Sequence, residues 1–180
     1  MKKKATVLLA DGFEELEAMG PIDLLTRAGV DVDLVSVENK DKVTGRNGVA
    51  YSPVVPLEGY VFDSDALILP GGAGFKTLEN NPKVIEEVKK YAADDEKILA
   101  AICAAPTILG RLGLLKDKKY TCFTSMTEDF GGNYLGTYAV TDGKLITGKS
   151  AAAAIDFGLA LAEGLLGTEA ARELGESIYY

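Results

Sequence analysis

Lys97 to Gly110 reads KILAAICAAPTILG, and the reading of this stretch decides the fold. An apolar run ends at Cys103, two alanines follow, and Pro106 opens a helix. Proline is favoured at the first helical position, where its missing N–H has no partner to lose. The pattern is strand, sharp turn, helix, with a thiol at the corner. A side chain there stands at the carboxyl end of a sheet, beside the positive end of a helix dipole. Both circumstances favour a thiolate, the reactive form of cysteine. Taken alone, the stretch favours the plainer reading of Cys103 as a small buried hydrophobe at a strand end.

Working outward, the same alternation recurs. Lys4 to Ala10 reads as a buried first strand and Glu14 to Ala28 as a helix stopped by Gly29. Apolar residues at Leu16, Met19, Ile22, Leu24 and Leu25 have helical spacing. Val30 to Val37 alternates like a strand with one wetter face, and Lys42 to Val55 reads as a small hairpin. Ala66 to Leu69 is a buried strand broken by Pro70-Gly71-Gly72, and Asn81-Pro82 starts a helix reaching about Ala93. Tyr120 to Phe123 reads as a short strand. Thr141-Asp142-Gly143 reads as a hairpin turn. Ala151 to Leu166 is a small-residue helix expected to pack inward through Ile155, Leu159, Ala162 and Leu166, with a last short helix beyond Thr168. Strands alternating with helices predict an α/β domain with a mainly parallel central sheet and helices on both faces.

Composition narrows the function. The chain has 180 residues, 47% hydrophobic and 26% charged, enough for one domain with a sizeable core. A net charge of -8 argues against nucleic acid and anionic membranes as partners. The apolar run after Lys2, Lys3 and Lys4 stops at Asp11, too short for a signal-peptide core, and no apolar stretch is long enough to span a bilayer. A cytoplasmic protein is expected. Two cysteines make neither a disulfide framework nor a structural zinc site, and there is no histidine. No metal and no cofactor are expected, and no Cys-His or Ser-His pair can form.

In such sheets ligands bind at the carboxyl ends of strands. Three strand ends carry suggestive residues. Glu14, Glu15 and Glu17 follow the first strand; glutamates in a first helical turn ordinarily serve the helix dipole, but Glu17 is placed to face inward. A protonated carboxyl beside Cys103 would donate a hydrogen bond to the thiolate, whereas an ionised one would repel it. Gly71 and Gly72 let backbone approach a ligand, and the N–H of Gly72 with that of Ala104 would make an oxyanion hole over Cys103. For a lone Gly-Gly a plain strand-to-helix turn is the better explanation. There is no Gly-Lys-Ser/Thr sequence there and no GxGxxG fingerprint, so a flavin or nucleotide is disfavoured.

LLADGFEELEA, ALILPGGAG and AAICAAPTILG, extended by DLLTRAG and KLITGKSAAAAIDFGLALAE, stand in the order found in the ThiJ/PfpI superfamily. The chain resembles the branch of the bacterial YajL proteins and the parkinsonism-associated deglycase. The resemblance covers nearly the whole chain and implies a single ThiJ/PfpI-type domain over residues 1–180, a flavodoxin-like fold and a homodimer. It implies that Cys103 is the reactive cysteine, Glu17 its protonated partner, and Gly72 and Ala104 the oxyanion-hole amides. Gly71, Phe123 and Lys149 are expected to line the pocket. Three departures stand out. Ala104 occupies the place where protease-like branches have a histidine, so peptidase activity is not expected. Phe123 stands where the human relative has a histidine. Lys149-Ser150-Ala151-Ala152 replaces the usual Arg-Gly-Pro-Gly, and Arg46 precedes by one position the place where a basic residue is usual. The resemblance implies a cysteine-dependent enzyme on small aldehydes or dicarbonyls, of glyoxalase or deglycase type. The alternative is a non-enzymatic, redox-sensing or chaperone-like homodimer whose cysteine is oxidised to sulfenate or sulfinate.

Overall fold

The computed structural model describes residues 2–180. The chain runs through β1 (Lys4–Leu9), α1 (Glu15–Arg27), β2 (Asp31–Ser36), β3 (Val43–Thr44), β4 (Ala50–Tyr51) and β5 (Val55–Pro56). It continues with β6 (Ala66–Leu69), α2 (Phe75–Glu79), α3 (Pro82–Ala92), β7 (Ile98–Ile102) and α4 (Pro106–Arg111). The last third comprises β8 (Lys119–Tyr120), β9 (Asn133–Tyr134), β10 (Ala139–Asp142), β11 (Leu145–Gly148), α5 (Ala154–Leu166) and α6 (Thr168–Ser177).

Seven strands form the central sheet in the order β10-β11-β7-β6-β1-β2-β5. Every neighbouring pair is parallel except the β10–β11 hairpin. Successive side chains of a strand point to opposite faces, so one strand feeds two cores. Leu8, Leu67 and Leu99 pack with Phe75, Val84 and Ile108 of α2, α3 and α4. Val7, Ile68 and Ala100 pack with Leu24, Phe157 and Leu174 of α1, α5 and α6. Burial on both faces is why these strands read as unbroken apolar runs. This is the flavodoxin-like α/β layering. The chain leaves β1 toward β2 on one side and later returns to β6 on the other. The carboxyl ends of β1 and β6 therefore flank the reversal in strand order where such sheets form a crevice.

Three local expectations are corrected. The inward stripe of α5 is Ala154, Phe157, Gly158, Leu161, Ala162 and Leu165, while Ile155 and Leu166 face out. This helix is apolar almost all round, so spacing alone does not choose between adjacent stripes. Close approach decides it: a Cβ on Gly158 would stand 2.5 Å from Leu24 Cδ1, and one on Gly20 would stand 2.9 Å from Ala154 Cβ. In α1 the buried residues are Glu17, Ala18, Pro21, Leu24 and Leu25, whereas Leu16 and Met19 are exposed. The strand expected over Tyr120 to Phe123 is only β8, paired with β9 outside the main sheet. Cys122 and Phe123 instead lead into a 3-10 turn at Thr124–Met126.

Candidate functional site

Three chain segments meet at the carboxyl ends of β1, β6 and β7. The first is the start of α1. Glu14 caps the helix, its carboxylate accepting the N–H of Glu17 at 3.0 Å. That places Glu17 in the first turn and turns it under the sheet edge, where it is 1% exposed. The second is the loop after β6. Gly72 has φ +78°, a conformation glycine adopts without steric cost. It pairs with Phe13 in an isolated antiparallel bridge, and the N–H of Glu14 donates to the carbonyl of Gly71 at 3.1 Å.

The third is the corner after β7. Cys103 has φ +65°, in the left-handed region that costs a non-glycine residue about 1–3 kcal/mol. The surroundings hold it there. Its N–H donates to Gly148 O at 2.9 Å, its carbonyl accepts from Phe123 N at 2.8 Å, and Ala105 N donates to Ile102 O at 3.1 Å. The strained corner swings the side chain out of the strand row and into the crevice. The helix that follows has only six residues, so its dipole adds little to the thiol's surroundings.

Glu17 and Cys103 face each other across Gly71. The N–H of Gly71 donates to Glu17 Oε2 at 3.0 Å. A Cβ on Gly71 would lie 2.5 Å from that oxygen and 2.7 Å from Cys103 Cβ, so only glycine fits between them. The Glu17 carboxyl lies beside the thiol across Gly71, and the backbone N–H groups of Ala104 and Gly72 lie close enough to favour a thiolate.

The electrostatics follow from burial. Desolvation raises Glu17 from the usual 4.5 to about 7. The neighbouring Cys103 thiol, the Gly71 N–H and the charge of Arg46 pull the other way, while Glu14 adds to the rise. Burial also pushes the Cys103 thiol up, and the Glu17 charge adds to this, while the Ala104 and Gly72 amides pull it down. The expectation that position alone favours the thiolate is thus corrected: burial opposes it. The repulsion from Glu17 disappears when Glu17 holds the proton. A thiolate here therefore depends on a protonated Glu17 and on the two amides.

A pocket of about 460 Å³ opens over this group. Cys103, Ala104, Glu17 and Gly72 form its floor, with Ala73, Phe75, Phe123 and Met126 as apolar wall. Glu14, Arg46, Ser150 and Ala151 complete the lining. Phe123 is thus at the pocket, and Gly71 is packed behind Glu17. Lys149 does not line it: its Nζ donates to Gly136 O at 3.0 Å and its N–H to Tyr138 O at 2.9 Å, and Ser150 and Ala151 take that place. Phe75 and Met126 were not singled out by the sequence, and Glu14 was read there only as a helix-dipole residue. Only the Asp-Gly-Phe turn that aims Glu14 could have hinted at its place on the pocket. Cys122 is fully buried, its sulfur 3.6 Å from Phe123 O and 3.8 Å from Met126 O, and burial pushes its thiol to about 11.

A wider recess of about 700 Å³ lies at the other ends of the strands, lined in part by Asp94, Lys116 and Lys144, but it contains no cysteine. Among the described residues no three carboxylate or thiol side chains gather closely enough to hold a metal ion. Among the same residues no helix is long and apolar enough to cross a membrane.

Known proteins resemble this chain in sequence and fold. A model of the DJ-1/PfpI family matches residues 3–164. Protein dj-1beta of Drosophila melanogaster is 32% identical over 182 residues, covering 99% of this chain and 97% of that protein. Deglycase TK1284 of Thermococcus kodakarensis is 32% identical over 155 residues, covering 81% of this chain and 89% of the relative. The solved C103A mutant of the DJ-1 superfamily protein STM1931 from Salmonella typhimurium superimposes with a TM-score of 0.92 at 36% identity. That match covers 99% of this chain and 98% of the other.

Proposed function

We propose that this chain, which belongs to the DJ-1/PfpI family, is a cofactor-independent, cysteine-dependent enzyme acting on small reactive carbonyls, of glyoxalase or deglycase type. The observation that carries the reading is the buried Glu17 carboxyl held by the Gly71 N–H beside Cys103, where burial raises it to about 7. A carboxyl that titrates near neutrality can both give and take a proton in one catalytic cycle.

With methylglyoxal the steps balance as follows. The Cys103 sulfur adds to the aldehyde carbon, forming an S–C bond, and the carbonyl electron pair moves to oxygen. The Ala104 and Gly72 amides hold that oxyanion, and Glu17 protonates it to a hemithioacetal. The Glu17 carboxylate then takes the proton from the former aldehyde carbon and returns it to the neighbouring carbon, while the hydroxyl proton passes from the first oxygen to the second, giving a thioester of lactate. Water cleaves the thioester and restores the thiol. In a deglycase reaction the Cys103 sulfur displaces the amine or thiol from the former aldehyde carbon of the adduct, that group leaves with the proton of Glu17, and the same hemithioacetal results. Loss of methylglyoxal with purified protein tests this. Cys103→Ser is expected to abolish consumption, and turnover equal to wild type would sink the proposal. Glu17→Leu is expected to slow it by about 10²–10⁴-fold, the usual size of general acid–base catalysis.

The same geometry favours a second reading. Peroxide oxidises the thiolate to sulfenate with release of water, and a second equivalent gives sulfinate. Glu17 and the two amides would then hydrogen-bond the new oxygens. Selective oxidation of Cys103 by mild peroxide, with no turnover of any aldehyde, would favour this redox role. For the assembly we propose a homodimer formed through the face where Leu16, Met19, Val49 and Ile155 are exposed.

A further inference from the structure

The pocket contains one cation that the proposed chemistry does not use. Arg46 is carried by the loop between β3 and β4, and this loop is built rather than loose. Gly45 N donates to Val49 O at 2.8 Å, and Arg46 N donates to Phe13 O at 2.9 Å. Glu15 binds the loop's own backbone and the Asn47 side chain rather than Arg46. It accepts Asn47 N at 2.6 Å and Asn47 Nδ2 at 2.9 Å. Glu14 also lines the pocket, but its carboxylate is turned onto the N-terminus of α1, where the helix N–H groups offset its charge. The nearby ion pairs, Lys40 with Asp11 and Glu38 and Arg111 with Glu79 and Glu128, do not involve Arg46. Ser150, on the lining too, makes no capping bond to the turn it precedes.

An unneutralised guanidinium at the mouth of a half-apolar pocket is an anion receptor: its fork matches a carboxylate with two parallel N–H···O bonds. Methylglyoxal offers it nothing. We propose that the substrate of this pocket is a small oxo acid that also carries an aldehyde next to its keto group; its carboxylate is held by Arg46 and Ser150 while the aldehyde carbon lies over Cys103. A single unpaired cation beside Glu14 suits a monoanion better than a phosphate dianion. This inference rests on the reactive-cysteine reading above and specifies its substrate class.

Alkylation rates test it independently of turnover. Iodoacetate and iodoacetamide react with a thiolate in the same displacement, sulfur bonding to the methylene as iodide leaves, and differ in the carboxylate. The ratio of their rates at Cys103, resolved by peptide mass spectrometry, reads the charge facing the thiol. In Arg46→Gln the ratio of iodoacetate to iodoacetamide is expected to fall about tenfold, the worth of one charge-assisted hydrogen bond. Arg46→Lys should recover most of it. Lys89→Gln, on the exposed side of α3, makes the same change in net charge and should leave the ratio alone. Glyoxylate supplies the second readout. It forms the hemithioacetal and stops there, because its neighbouring carbon is already a carboxylate. It should protect wild-type Cys103 from iodoacetamide at about tenfold lower concentration than it protects Arg46→Gln. An unchanged ratio and unchanged protection in Arg46→Gln would overturn the oxo-acid assignment while leaving the cysteine chemistry standing. A wild-type Cys103 that neither reagent alkylates would overturn both.

Discussion

Glu17 ties stability to pH in a way an ordinary glutamate does not. Below about 4.5 the carboxyl is protonated in both folded and unfolded chains. Between 4.5 and about 7 the unfolded chain ionises while the buried Glu17 keeps its proton, so the unfolded state gains. Stability from this group therefore falls as pH rises through that window, by about 3 kcal/mol in all, and is constant above it. Glu17→Gln preserves an acceptor for the Gly71 N–H and removes the titration. Urea unfolding at pH 5 and pH 8 should show a smaller loss in the variant than in wild type, and equal losses would refute the raised carboxyl. Gly71→Ala is a second test at this scale. Its methyl would sit 2.5 Å from Glu17 Oε2 and 2.7 Å from Cys103 Cβ, with the backbone carbonyl of Ile102 at 3.0 Å. It should cost about 1–3 kcal/mol in denaturation and separate the carboxyl from the thiol.

At the scale of elements, the segment that carries Phe123 and Met126 over the pocket is fastened at its far end. Arg111, from the last turn of α4, donates to Glu128 at 2.5 Å and to Glu79 of α2 at 2.7 Å, with Thr107 at 3.2 Å. Exposed ion pairs add little to global stability, about 0–1 kcal/mol, so their effect here is local. Arg111→Ala should speed amide hydrogen exchange across residues 123–130 while the unfolding midpoint barely moves. Unaltered exchange there would show that the buried Phe130 alone anchors the segment. The α1–α5 contact responds oppositely. Leu161 is fully buried on the corrected inward stripe of α5, so Leu161→Ala should cost about 2–5 kcal/mol globally. Ile155→Ala, on the outward stripe, should cost far less in an isolated protomer.

For the whole molecule, the outward stripe matters again. Leu16 is 59% and Ile155 42% exposed on helices that pack side by side, and Met19 and Val49 extend the same apolar face. An apolar patch of this kind on a chain with net charge -8 marks an interface more readily than a free surface. Leu16→Glu and Ile155→Glu should shift sedimentation from dimer to monomer without unfolding either chain. A wild type that sediments as a monomer throughout the micromolar range would rule the dimer out.

Much of this was legible in the amino-acid order. Runs such as ALIL and ILAAI are apolar on both sides because their strands are covered on both faces, so the α/β layering could be read directly. The three strand ends with unusual residues were also visible, because proline, paired glycines and a lone thiol break local patterns. Four things were decided only by tertiary structure. Which stripe of α5 turns inward depended on the fit of Gly158 and Gly20 against α1. That Lys149 leaves the pocket while Arg46 enters it depended on hydrogen bonds across more than ten residues of chain. That burial works against a thiolate at Cys103, so that Glu17 and two amides must support it, depended on the packing around the corner and not on a local helix dipole. The last is Glu17: sequence put a carboxyl after β1, but only the packing of α1, the β6 loop and the β7 corner around Gly71 buried it against the thiol.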